Sequence, residues 1–413
     1  MTSSHSGVEE MNTSSNMALA ILSLSHFSQH MYEGRSVIYA YIMNAFGLNY
    51  TQIGVAVGAS STMTGLLQMV FSLAGRIVPR SLLLGLGNIL LSVSSFGIGL
   101  SNKFTDFVYS QMAGGVGVAP QHPVGVSVIS ERFENKGVST PIGIYYGLGY
   151  VGNVVGPVML TAIALASGWR LTLFVLAGIP LATGVLVIVC LRKDRFSGKT
   201  TLARVHALEG RRSLWTDAKS ALHIKGAVAL IVAHAFQAGA THQTIIATYV
   251  PLFLINGLHL AKLQASFIYS LAMLGGVIGS ILFGRFANTL GYLKTTMICT
   301  GLVFVSLFFM SNQAALNLVS ITNLIVMGLT AFPITSLMQS ALSSFSDSEQ
   351  RDVLLGLYLT IGFVFSSFWS IIIGILIDIY DMFLPAWYLM SGLCVLSVGL
   401  LTIAYKQRET TTK

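Results

Sequence analysis

Only 9 % of the 413 residues are charged, against about a quarter in a typical soluble domain. That deficit excludes a solvated surface over most of the chain. With 54 % hydrophobic residues and a mean hydropathy of +0.74, it places the protein in a membrane. Cysteine is limited to Cys190, Cys299 and Cys394, scattered through apolar runs. This spacing excludes a disulfide framework and a bound-metal cluster, and reads as three small core residues. The glycine-rich stretches Gly114-Gly115-Val-Gly117 and Gly275-Gly276 follow no strand and lack a Lys-Ser/Thr ending. They are therefore not phosphate loops but close-packing helix faces. No nucleophile, base and orienting group converge, and no soluble catalytic domain is present, so an enzyme is not expected and no cofactor is implied.

What the chain does have is apolar runs long enough to span a bilayer. They lie near residues 17 to 46, 51 to 75, 81 to 100, 106 to 130, 138 to 166 and 170 to 191, then near 226 to 255, 263 to 287, 293 to 312, 315 to 343, 353 to 379 and 384 to 405. The expectation is an all-α protein of twelve transmembrane helices in two six-helix bundles, 17–191 and 226–405. A basic linker at 192–225 joins them, and polar tails at 1–16 and 406–413 flank them. The formal charge of +8 is explained by topology. With the N-terminus inside, the outer segments hold only Lys103, Arg170 and Lys262, and nearly all other Lys and Arg fall inside. Both termini are then cytoplasmic in a multi-pass plasma-membrane protein, and nucleic acid is excluded as a partner. Residues 1 to 15 lack a basic n-region and read as an uncleaved tail. Trp169 and Trp387 are expected in the outer aromatic belt.

The first run breaks the apolar rule at its centre, His26-Phe-Ser-Gln-His30-Met-Tyr-Glu33-Gly-Arg35. An ionisable group at that depth costs roughly 2.5 to 3.5 kcal/mol on insertion scales, so each needs a partner, a cavity or a task. At about 100° per residue, His26, His30, Glu33, Val37 and Tyr41 share one sector, a proton-titrating stripe. Arg35 lies opposite, between Tyr32 and Tyr39. Two roles are open to Arg35: contact with an anionic substrate, or a structural pair. The His26-x3-His30-x2-Glu33 spacing also admits metal ligation, which makes metal-ion transport a minor alternative.

The halves echo each other. Ser25-His26-Phe27 matches Ala233-His234-Ala235, Gly47-Leu48 matches Gly257-Leu258, and His122-Pro123 lands on Phe332-Pro333. Polar residues at matching depth in helices 1 and 7, with proline breaks expected in helices 4 and 10, mark a central cavity. Its expected lining is His26, His30, Glu33, His122, His234, Gln237, Thr241, Tyr41, Gln121 and Gln339.

Twelve helices, the six-plus-six repeat and the basic central loop resemble the major facilitator superfamily. Gly284-Arg-Phe-Ala-Asn288-Thr-Leu-Gly291 is similar to its G-x-x-x-D-x-x-G inner-loop motif, with Asn288 in place of the acid. Gly143, Gly152 and Gly156-Pro157 in helix 5 resemble its antiporter-type glycine pattern. The first-half loop motif departs from the family, with Ser72 for Gly and Arg76 for the acid. Asp378, read at the inner end of helix 11, is expected to meet Arg76. Gln111 stands where many proton antiporters of the superfamily carry Arg. Within the superfamily, His26-Phe27, Leu48 to Gly54, His122-Pro123 and Gly168-Trp169-Arg170 resemble the fosmidomycin-resistance-like branch, while His30, Glu33 and Arg35 depart from it.

The resemblance implies alternating access: the expectation is a small molecule carried across the bilayer, driven by protons, by a chain that functions as a monomer. Glu33, His26 and His30 are the expected proton site, with Arg35, His122, His234, Gln237, Tyr41, Thr241 and Gln121 as substrate contacts. The helix 5 pattern points to drug or metabolite efflux by proton antiport. Arg35 and the histidines point to uptake of a small organic anion by symport. A receptor on the same fold would bind without flux.

Overall fold

The computed structural model describes residues 4–75, 77–133, 138–191, 223–345 and 348–412. The first spanning segment is α1 (Ser4–Glu33), a 3-10 turn (Gly34–Ile38) and α2 (Tyr39–Phe46). Then come α3 (Tyr50–Ala74), α4 (Arg80–Leu100), α5 (Phe104–Val118) continued by α6 (Gln121–Arg132), α7 (Ser139–Ser167) and α8 (Trp169–Cys190). The second half has α9 (Ala227–Thr241), α10 (Gln243–Leu252) and a π turn (Phe253–Gly257), followed by α11 (Lys262–Leu290), α12 (Tyr292–Met310), α13 (Leu318–Phe345), α14 (Ser348–Tyr380) and α15 (Leu384–Thr412). Nine of the described helices are unbroken, long and apolar enough to cross a bilayer. Helices 1, 4 and 7 are each assembled from two or three pieces, which completes twelve crossings. An even number of crossings brings both ends of the chain to one face, called here the termini face; the other is the far face.

Each half repeats one packing scheme. Within the first, α1 packs on α7 and α8, α3 on α5, and α4 on α5 and α8. Within the second, α9 packs on α14 and α15, α11 on α13, and α12 on α13 and α15. The seam between halves is made by α3 with α14 and by α7 with α11. Small residues allow the close approach, since lipid supplies no hydrophobic drive between helices. A Cβ at Gly54 would reach within 2.5 Å of the Ser370 carbonyl, and one at Gly58 within 2.8 Å of Ser367 Oγ.

Hydrogen bonds across the seam run from mid-depth to the far face. Ser61 Oγ lies 2.6 Å from Ser366 Oγ, Thr62 Oγ1 donates to Ser367 Oγ at 2.9 Å, and Thr161 Oγ1 lies 2.6 Å from Ser266 Oγ. At the far face Asn256 Nδ2 donates to Tyr50 Oη at 3.0 Å. Asp378 accepts from the Tyr50 and Thr51 amides and from Thr51 Oγ1, at 2.9, 2.7 and 2.5 Å.

Several expectations are corrected. Asp378 does not sit at the inner end of helix 11: α14 starts on the termini face, so its end at Tyr380 reaches the far face, and Asp378 caps the start of α3. The opposite end of that 25-residue helix, Ala74, is about 36 Å away at 1.5 Å per residue. Arg76 itself lies outside the described residues. Helix 10 is unbroken at Pro333; the carbonyl of Leu329, freed because proline has no N–H, packs against Gly279 of α11. Trp387 is buried against Phe253 and Phe383 rather than placed in a surface belt. Cys190 is exposed at the end of α8, whereas Cys299 and Cys394 are buried.

Candidate functional site

The stripe on α1 forms a continuous chain. His26 Nε2 lies 3.1 Å from His30 Nε2, and His30 Nδ1 lies 2.8 Å from Glu33 Oε2. The chain is anchored where His26 Nδ1 meets the Tyr145 carbonyl at 3.0 Å. Both histidines are buried, while the Glu33 side chain keeps 24 % of its surface accessible. Glu33 also accepts from Gln29 Nε2 at 3.0 Å, within α1, and from Gln243 Nε2 of α10 at 2.8 Å. Two amide donors, one on each oxygen, accommodate the ionised carboxylate, which accepts only; His30 Nδ1 adds a third on Oε2 when it carries a proton.

Helix 5 holds this face from behind. The His26 ring packs on Gly149, and a Cβ at Gly152 would come within 2.5 Å of the Phe27 carbonyl and 2.9 Å of His30 Cβ. Gly156 and Pro157 receive Gly34, whose own Cβ would lie 3.2 Å from both residues. Gly152, Gly156 and Pro157 of the helix 5 pattern therefore position helix 1; Gly143 has open space around it. Aromatic rings complete the wall. His26 stacks on Tyr145 at 4.2 Å, His30 lies 5.0 Å from Tyr150, and His122 is edge-on to His26 at 5.2 Å and stacked on Tyr146 at 5.9 Å. His122 reaches this wall because helix 4 breaks at Ala119-Pro120, between α5 and α6.

Arg35 faces away from the stripe. Its Nη1 donates to the Tyr32 carbonyl at 2.9 Å, its guanidinium lies 3.6 Å from the Tyr32 ring centroid, and Nη2 donates to Gln111 Oε1. Gln111 Nε2 in turn donates to Tyr39 Oη at 2.8 Å. The cation is thus held by one ring and reaches Tyr39 through Gln111, rather than lying between two rings.

The remaining candidates separate. Gln121 turns into the packing of helices 1 and 3, where Ser25 Oγ accepts from Gln121 Nε2 at 3.1 Å and from Asn88 Nδ2 at 2.7 Å. Tyr41 sits toward the far face under Lys262, with Nζ 3.8 Å from its ring centroid. His234 stacks on Tyr358 of α14 at 3.8 Å and packs on Gly362. Gln237 Nε2 donates to Thr241 Oγ1 at 3.1 Å. These three belong to the second half, and Gln339 is half-buried on α13. Gly291 ends α11 with φ +86°, a conformation that favours glycine, while Gly284 meets open space and Asn288 is exposed. The sequence reading missed Gln243, Tyr146 and Tyr150. Gln243 carries no charge, and its signals are its place after the helix 7 break at His242 and the offset of 210 that aligns Gly47 with Gly257 and Pro123 with Pro333, which sets it against Glu33.

Comparison with known proteins places this geometry. Over 147 residues the chain is 37 % identical to the probable L-galactonate transporter of Escherichia coli (strain K12), an alignment covering 35 % of this chain and 32 % of that relative. The chain thus spans about a third of that protein's length. The fold is similar to the crystal structure of the nucleoside transporter NupG, with a TM-score of 0.76 at 12 % identity over 94 % of this chain and 99 % of that one. It is also similar to a bacterial homologue of the human lysosomal transporter Spinster, solved inward-facing and occupied, with a TM-score of 0.72 at 13 % identity over 95 % and 97 % of the chains. A third match, tetrameric PepTSo2, has a TM-score of 0.67 at 16 % identity over 97 % and 98 %. The profile of the Major Facilitator Superfamily matches residues 22–370. Twelve crossings, two bundles of repeated packing and a polar site on a broken first helix are the structural side of that match, and the chain belongs to the Major Facilitator Superfamily.

Proposed function

We propose that the protein is a proton-coupled carrier in which Glu33, with His30 and His26, binds the coupled proton, and that it exports a small molecule in exchange for protons. The observation that carries this reading is the part-accessible Glu33 carboxylate at mid-depth, hydrogen-bonded through His30 to His26. A group that titrates inside a cavity is what proton coupling requires. Each pH unit of gradient supplies about 1.4 kcal/mol per proton, and the membrane potential about 2.3 kcal/mol per charge per 100 mV. With both termini cytoplasmic, as the basic-residue bias supports, the seam contacts described above close the outer side. His122, His234, Gln237 and Thr241 are the proposed cargo contacts. Arg35, bound to Tyr32 and Gln111, is proposed as structural.

A second reading is uptake of a small organic acid with protons, favoured by the 37 % identity to a probable L-galactonate transporter. The glycines of helix 5 serve packing in either direction.

The test uses purified protein in liposomes carrying an internal pH indicator and a pH gradient. L-galactonate, other sugar acids and lipophilic drugs are added in turn, to wild type and Glu33→Gln. Proton movement opposite to cargo, lost in Glu33→Gln, is expected. Movement in the same direction establishes the second reading. Coupling unchanged in Glu33→Gln overturns the proton site.

A further inference from the structure

We infer that Gln243 is a positioning residue through which the charge on Glu33 controls the contact between the two halves. This rests on the reading of Glu33 as the proton site. Glu33 is the last residue of α1 and Gln243 the first of α10. Their 2.8 Å hydrogen bond joins the termini-side part of helix 1 to the far-side part of helix 7. An interruption of the helix flanks it on each side. The 3-10 turn Gly34–Ile38 follows Glu33, and His242, extended at φ −60° and ψ 135°, precedes Gln243. Hence α2 and α10, which lead to the far face, are joined to α1 and α9 at points where the chain can bend.

Gln243 does not titrate, so the strength of this bond follows the state of Glu33. An amide donating to an ionised carboxylate makes a charge-assisted bond, about twice as strong as the neutral one. Protonation of Glu33 removes that assistance and turns one oxygen into a donor. Other groups face Glu33 and set its charge: Gln29 and His30 on α1, His122 on α6, Tyr150 on α7, His242 beside Gln243, and Tyr269 on α11. Gln243 is the member of this shell that donates to Glu33 from the opposite half. The empty, ionised carrier is therefore held with its far face closed. A proton on Glu33, or a cargo group that replaces the amide, releases it, which is the rule an obligatory exchanger needs.

The experiment measures the distance between spin labels at Asn44 and His259, both exposed near the far ends of helices 1 and 7. The full-length protein, with its three cysteines replaced, is placed in lipid nanodiscs and titrated from high to low pH without cargo. In wild type the distribution is expected to move to longer distances as pH falls. Gln243→Leu should populate the longer distances at every pH, with the pH response lost. Gln243→Glu, close in size and expected to fold where Leu fails, should reverse the response. Two facing carboxylates approach only when one holds a proton, so this variant closes as pH falls. A wild-type response in either Gln243 variant overturns the inference, and if Glu33→Gln is flat at the same time the proton site stands. A response that persists in Glu33→Gln, or is absent from wild type, overturns the proton site as well.

Discussion

Gly152 sets how near helix 5 approaches the backbone of Phe27 and the side chain of His30. Gly152→Val is expected to destabilise the detergent-solubilised protein by about 1 to 3 kcal/mol through overpacking, read as a lowered Tm. Gly143→Ala, in open space, should leave the Tm unchanged. Arg35 offers a different separation. If it holds helix 1 to Gln111, Arg35→Met lowers the Tm while the KM of the folded fraction stays within about twofold of wild type. A KM raised tenfold or more at unchanged stability would assign it to cargo. At this scale the shared face of His26, His30 and Glu33 was legible, because about 100° per residue aligns them whatever surrounds them. Gln243 was not read, although the offset of 210 between the halves sets it against Glu33, because an uncharged residue gains its meaning from the carboxylate that packing brings to it.

Among whole elements, the decisive feature is where helices break. Helix 1 breaks at Gly34, helix 4 at Pro120 and helix 7 at His242, and each break delivers a polar side chain to mid-depth. Helix 10 carries Pro333 without breaking, because Gly279 covers the freed carbonyl of Leu329. Proline in the sequence marks a missing donor, and the neighbouring helix decides whether the helix ends there. Asp378 was misread for a related reason: a motif resemblance drew it to Arg76, whereas counting eleven crossings carries it to the far face. There it caps α3 from the other half, so Asp378→Ala removes three hydrogen bonds across the seam. We expect a cysteine placed at Thr62 to react at least severalfold faster with an impermeant thiol reagent added from the far side in Asp378→Ala than in the parent. An unchanged rate would show that the α3–α14 packing closes this side without the cap.

Across the whole molecule, the architecture was legible from the twelve apolar runs and the echo between the halves, since bilayer thickness fixes element length. The relation between the halves was not legible. It depends on small-residue contacts such as Gly54 with Ser370 and Gly58 with Ser367, whose partners lie about three hundred positions away and obey no period. The same limit applies to cargo, for the walls facing Glu33 come from α1, α6, α7, α10 and α11, and their joint shape belongs to none of them. In the proposed mechanism Glu33 carries the coupled proton while the rest of the site moves the cargo. It is tested most directly in liposomes, with the cargo identified by proton flux, by comparing cargo exchange at equal pH with net movement driven by a pH gradient, for wild type and Glu33→Gln. Glu33→Gln is expected to keep exchange and to lose gradient-driven movement. Gradient-driven movement at the wild-type rate in Glu33→Gln would contradict it.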